Sequence, residues 1–178
     1  MRKIAIILAL FLSGANVLFT QTQWKVTKSS IDFKIKNAGF TVDGSFGGLT
    51  SSIKFDGNNY LKAFIEASVD VNTINTGIDL RNMHLKKEEY FNATGFPKIN
   101  LKSTSFTKEK DGTFKGVFKL TMKGVTKDVV IPFLYTESGI TASIKASFKI
   151  NRRDYNVGES SWTMSDDVTI NLLVSLTK

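Results

Sequence analysis

Cysteine is absent from the 178-residue chain. That excludes disulfides, thiolate metal sites, cysteine nucleophiles and the lipid-modified cysteine of a bacterial lipoprotein. Histidine is scarce too: His84 is the only one, so zinc or iron sites built from several histidines are excluded. No serine stands in a nucleophile motif, which leaves a Ser-His-Asp triad only formally open. No spaced acidic loop signals calcium. The carboxylate pairs Glu88-Glu89 and Asp166-Asp167 are adjacent residues, which point to different sides of the backbone and read as surface or turn charges. A basic cluster with interleaved aromatics is missing, which argues against nucleic acid as a partner. After the first residues no run is long and apolar enough for a transmembrane helix.

What is present begins with a basic Met1-Arg2-Lys3, an unbroken apolar run from Ile4 to Leu12, and the small residues Ser13, Gly14 and Ala15. This is the layout of a secretory signal peptide, and the run is too short to span a bilayer. The expected division is a leader over residues 1–22 and one domain over residues 23–178, with a periplasmic or secreted destination. The formal net charge is +8, of which Arg2 and Lys3 contribute two, leaving +6 after the leader. Lys34, Lys36, Lys54, Lys102, Lys115 and Lys119 alternate with apolar residues, as on a solvated outer face. The basic balance also suits an anionic membrane surface or lipid head group.

Alternation with a period of two dominates the rest. Ile140, Ala142, Ile144, Ala146, Phe148 and Ile150 share one face, as do Val168, Ile170, Leu172, Val174 and Leu176. Similar rows run from Leu61 through Ala63, Ile65, Ala67, Val69 and Val71, through Gly116, Phe118, Leu120 and Met122, and through Ile31, Phe33 and Ile35. Each row marks a strand with one buried and one wet face. Turn residues at Asn37-Ala-Gly39, Gly47-Gly48, Asp56-Gly57-Asn58-Asn59, Asp111-Gly112 and Glu137-Ser-Gly139 separate them. About eight or nine antiparallel strands result, an all-β barrel or sandwich in which closure would remove the edges.

Residues from about Thr76 to Tyr90 break the rhythm and predict a short helix or helical loop across one barrel end. Thr76 or Asn75 would cap it, and Ile78, Leu85 and Met83 would form a weak apolar side. His84 lies in this segment, within a turn of Arg81 and Glu88, either as a surface side chain or as a contact for a ligand head group. Arg152-Arg153-Asp154 reads as an ion-paired corner, with a phosphate contact at the barrel mouth as the sharper alternative. An eight-stranded barrel holds side chains alone or one small ligand as well. The small residues Ala63, Ala67, Gly116, Ala142 and Ala146 on apolar faces fit a hollow and a filled barrel equally well.

Several pieces in order carry a family pattern. They are Trp24 and Ser30-Ile-Asp-Phe-Lys-Ile-Lys-Asn37, Val42-Asp-Gly-Ser-Phe46, Ile53-Lys-Phe-Asp56 and Asp70-Val-Asn-Thr-Ile-Asn-Thr76. Arg81-Asn-Met-His-Leu85, Glu89-Tyr90-Phe91 and Phe96-Pro-Lys-Ile99 follow. The set closes with Gly116-Val-Phe-Lys-Leu-Thr-Met-Lys-Gly-Val-Thr-Lys127 and Phe148-Lys-Ile-Asn-Arg-Arg-Asp-Tyr155. In this the chain resembles the YceI family of bacterial lipid-binding, lipocalin-like proteins, with Asn156 standing where the family often has glycine.

The resemblance implies an antiparallel eight-stranded barrel, a helical segment at about Arg81 to Tyr90, and a hollow interior. It also implies a polyisoprenoid or another long amphiphile as ligand, such as a quinone-like or polyprenyl lipid, and supplies no agreed catalytic residue to carry over; no cofactor or metal is expected. Candidate lining residues are Ile65 and Val69, Phe118 and Leu120, Ile144 and Phe148, and Ile170 and Leu172, with Arg81 and His84 as head-group contacts. A transient membrane contact and a homodimer stay open as further associations. Two other functions compete: a lipid-acting enzyme using His84, and an interaction or stress-response module with a filled barrel.

Overall fold

The computed structural model describes residues 22–178; the predicted leader lies outside the described residues, apart from Thr22. Eight strands follow one another as β1 (Gln23–Asn37), β2 (Phe40–Lys54), β3 (Phe64–Asn75), β4 (Lys98–Lys108), β5 (Phe114–Met122), β6 (Val125–Ser138), β7 (Thr141–Asn151) and β8 (Met164–Thr177). One helix, α1 (Asp79–Leu85), interrupts them between β3 and β4. Each strand pairs antiparallel with the next, and β8 pairs with β1, so the sheet closes on itself. Closure satisfies the backbone donors and acceptors that an open sheet leaves at its edges.

The alternating rows become the inner wall. On β5 the pattern is clean, with Phe114, Gly116, Phe118, Leu120 and Met122 buried and the residues between them partly or fully exposed. The tight hairpins obey turn chemistry: Ala38-Gly39 and Lys123-Gly124 all have positive φ, the primed turn whose twist matches the flanking strands.

Three expectations are corrected. The row beginning at Leu61 starts later, because Tyr60–Lys62 form a 3₁₀ turn that continues the Asp56–Asn59 turn and leaves Leu61 81 % exposed. Ile140 sits in the β6–β7 hairpin and is exposed instead of joining the inner row of β7. The helical segment is shorter than predicted, with Ile78 at its N-cap and no side-chain cap. Thr76 is engaged elsewhere: its N–H and hydroxyl donate to Asn82 Oδ1 at 2.8 and 2.7 Å. Beyond Leu85 the chain folds into turns, in which Phe91 N–H donates to the Leu85 carbonyl and Ala93 N–H to that of Lys86.

The two barrel ends differ. Where β2, β4 and β6 end, an aromatic plug fills the interior. Phe55, with no exposed surface, meets Phe106, Phe114, Phe133 and Tyr135 at centroid distances of 5.4, 5.2, 5.5 and 4.7 Å. Trp24 Nε1–H donates to the Phe55 carbonyl at 2.8 Å and pins the plug to β1. Most of these rings meet edge to face, the favoured contact of two quadrupoles. The opposite end carries α1, the turns after it, and the β7–β8 connection with a 3₁₀ turn at Arg152–Tyr155.

Candidate ligand-binding cavity

Between the plug and the helix end the barrel is hollow. A cavity of ≈ 170 Å³ is lined by the inner rows of all eight strands. A second chamber of ≈ 120 Å³ adjoins it toward α1, and Phe46, Met122, Ile150 and Ile170 line both, forming a waist. Packed interiors hold few voids larger than a water molecule, so these adjoining apolar chambers mark the candidate site.

Ile65, Val69, Phe118, Leu120, Ile144, Phe148, Ile170 and Leu172 all line the larger chamber. The small residues divide between two roles. Ala67 and Ala146 border the open space, whereas Ala142 belongs to the packed core near the plug. Gly116 lies under aromatic rings: a Cβ there would come within 2.3 Å of Phe118 and 3.0 Å of Phe106.

Both chambers are almost wholly apolar, but the charged lining residues belong to the smaller one. Arg81 lines it from α1, together with Asn37, Thr76, Tyr90 and Arg152. Arg81 Nε–H donates to Thr76 Oγ1 at 2.8 Å and its Nη2 to the Thr76 carbonyl at 2.6 Å. Among the described residues no carboxylate pairs with this guanidinium and no acceptor meets its Nη1. It is an oriented cation with donors to spare, the kind of group that meets an anionic or carbonyl head group.

Arg152 is the opposite case. Only 4 % exposed, it donates to the carbonyls of Ser165, Val157 and Glu159 and to Asp166 Oδ1 at 2.8–3.0 Å. Burial pushes its pKa below the usual guanidinium value, and the charge of Asp166 opposes that shift. The arginine corner is therefore ion-paired, but through Arg152 and Asp166; Asp154 pairs with Lys127 on β6. Asn156 ends the corner at φ 56°, a left-handed position that asparagine tolerates better than most non-glycine residues.

His84 lies apart from both chambers. Its side chain is 56 % exposed, its Nε2 sits 3.3 Å from Glu89 Oε1, and its ring meets the edge of Tyr90. Neither Arg81 nor Glu88 is its partner. Arg81 and Leu85, one helical turn apart, face the chamber, and His84 is rotated from Leu85 by about 100°. Of the two residues singled out for a head group, Arg81 lines the smaller chamber and His84 does not.

Phe46 and Leu49 line the cavity without having been singled out from sequence. Simple alternation fails there, because register shifts on β2 between Ser45 and Thr50 bring both side chains to the inside. Phe33 and Phe91 flank Phe46 at 5.4 and 5.5 Å, a short aromatic path into the smaller chamber.

Comparison with known proteins fits this architecture. The family model for the YceI-like domain matches residues 23–176. The chain belongs to the YceI family. Related YceI-type sequences include a UPF0312 protein of Yersinia enterocolitica, 28% identical over 93% of this chain and 90% of that protein. A UPF0312 protein of Yersinia pestis is 27% identical over the same shares. Among solved structures, Burkholderia cenocepacia BcnA superposes with a TM-score of 0.81 at 22% identity, covering 85% of this chain and 99% of that one. A Campylobacter jejuni YCEI protein gives 0.71 at 20% identity, over 98% and 99% of the two chains. A polyisoprenoid binding domain from Saccharophagus degradans gives 0.70 at 16% identity, over 87% and 97%.

Proposed function

We propose that the protein is an exported, non-enzymatic carrier that holds one long amphiphilic lipid, of polyisoprenoid or quinone-like type, inside its barrel. The observation that carries this reading is the two-chambered apolar cavity with charged residues, Arg81 and Arg152, at one end only. A hydrocarbon tail gains about 0.8 kcal/mol for each methylene it buries, so such a space gives affinity with few polar contacts. The polar groups at the helix end then select the head group. The Saccharophagus domain, a polyisoprenoid binding domain, shares the fold and supports the same ligand class here. A periplasmic destination follows from the signal-like first residues, which makes the cell envelope the place of action.

Purification from the periplasmic fraction, organic extraction and mass spectrometry test the proposal directly. A long-chain lipid is expected in the extract; a protein that carries none and takes up no added prenyl compound would refute it.

Arg81 makes a second prediction. Hydrogen bonds to charged groups contribute about 1.5–3 kcal/mol, so Arg81→Ala should weaken binding of a prenyl phosphate roughly ten- to hundredfold. The prenyl alcohol of equal length should lose much less, and His84→Ala should leave both affinities unchanged. Titrating the two ligands into the three proteins measures this.

A further inference from the structure

The floor of the larger chamber is a specific pair of rings. Phe118 and Phe133 line the cavity, while Phe106 lies behind them, 5.7 Å from Phe118 and 6.0 Å from Phe133. Below Phe106 comes Phe55, fully buried. The position of Phe118 depends on its neighbour two residues along the same inner row. Gly116 has no side chain, and the Phe118 ring occupies the place where one would stand: a Cβ on Gly116 would lie 2.3 Å from Phe118 Cε2. Phe118 thus bends toward the plug and closes the barrel at the level of Gly116.

We propose that Phe118, seated over Gly116, is the stop that sets how long a chain the cavity accepts. The inference rests on the lipid-binding reading above and adds a specificity determinant to it. Arg81 and the other polar groups stand at the helix end, so a ligand enters with its tail toward the aromatic end. The tail meets Phe118 together with Phe133, a plug ring that also lines the chamber. Phe133, the other ring of the floor, has Ile131 and Tyr135 as its neighbours in the row. At Phe118 the row continues into a residue without a side chain, so truncation deepens the chamber instead of opening a closed void. Two strand residues correspond to about 6.6 Å along the strand, less along the tilted barrel axis, or about the length of one isoprene unit.

The test uses a homologous series of all-trans prenyl alcohols, from farnesol upward, titrated into the purified protein and into Phe118→Ala. For the unaltered protein, affinity should climb about fourfold per added methylene until the tail reaches the floor, and then level off. In Phe118→Ala the plateau should begin about one isoprene unit later, with the shorter alcohols bound no more tightly than before. Phe118→Leu keeps the row apolar, carries the same test if the alanine variant does not fold, and should move the plateau by less. A folded variant whose plateau stays at the original length overturns the proposal and leaves lipid binding intact. Failure of the unaltered protein to bind any member of the series would remove the carrier function itself.

Discussion

Replacing Arg152 with methionine is expected to lower the free energy of unfolding by about 3–5 kcal/mol. The side chain is buried and supplies four hydrogen bonds, two to backbone carbonyls of the β7–β8 connection, one to a carbonyl at the start of β8 and one to Asp166. Methionine fills much of the same volume but donates nothing, so the carbonyls of Val157, Glu159 and Ser165 lose their donor, Val157 in a buried place and the other two in partly buried ones. Each buried acceptor left unsatisfied costs about 1–3 kcal/mol. Asp166 contributes less to the loss because its carboxylate is 45 % exposed and water can solvate it again. Backbone and guanidinium are also in close contact: a Cβ on Gly158 would lie 2.9 Å from Arg152 Nη1. Arg152→Lys should recover only part of the loss, since an ammonium cannot reach four acceptors spread around a planar fork. Urea unfolding shows this as a lower midpoint with an unchanged slope. A midpoint within a few tenths of a molar of the original would mean that the corner is held by something else.

The corner also ties the connection to the turn segment after α1, through Gly158 N–H donating to the Glu89 carbonyl. Val157 and Tyr90, which line the smaller chamber, belong to those two segments. Stability at Arg152 and the shape of the polar end are therefore linked through one backbone contact.

How much of this can be read from the residues depends on whether the pattern is local. Strand alternation is local, so the inner rows of β5, β7 and β8 are legible, and closure follows from the need to satisfy edges. Depth along the barrel is not legible. Phe106 and Phe118 occupy equivalent inward positions, yet one belongs behind the floor and the other is the floor, and only Gly116 hints at the difference. Arg152 shows a second limit. An Arg-Arg-Asp sequence suggests the neighbouring Asp154 as partner, but the acceptor is Asp166, brought close by the return of the chain into β8. His84 illustrates a third. A helix placed over 76–90 lets several residues face the cavity, whereas the observed seven-residue α1 presents Arg81 and Leu85 and turns His84 toward Glu89. Small residues do not tell a hollow barrel from a filled one, because Ala142 and Ala146 belong to the same buried cluster on the same strand, yet only Ala146 borders the chamber.

That distinction sets up the prediction with the largest effect on function. Ala146→Phe should abolish lipid binding while leaving the fold as stable as before or more so. Ala146 is buried, pairs across the sheet with Phe133 and Leu172, and points into the larger chamber. A larger side chain in a packed core costs about 1–3 kcal/mol through strain. Here the ring enters open space bordered by apolar walls, where filling a cavity commonly gains about 0.5–2 kcal/mol. The same ring takes the place of about four to six methylenes of a bound tail, and at about 0.8 kcal/mol each the loss of affinity is several hundredfold or more. Stability and binding should therefore move in opposite directions, a combination that damage to the fold cannot produce. Melting temperature and lipid content after extraction give the two readings from one preparation. A variant that melts lower and still carries its lipid would show that position 146 does not face the ligand, and the larger chamber would lose its claim to be the binding site.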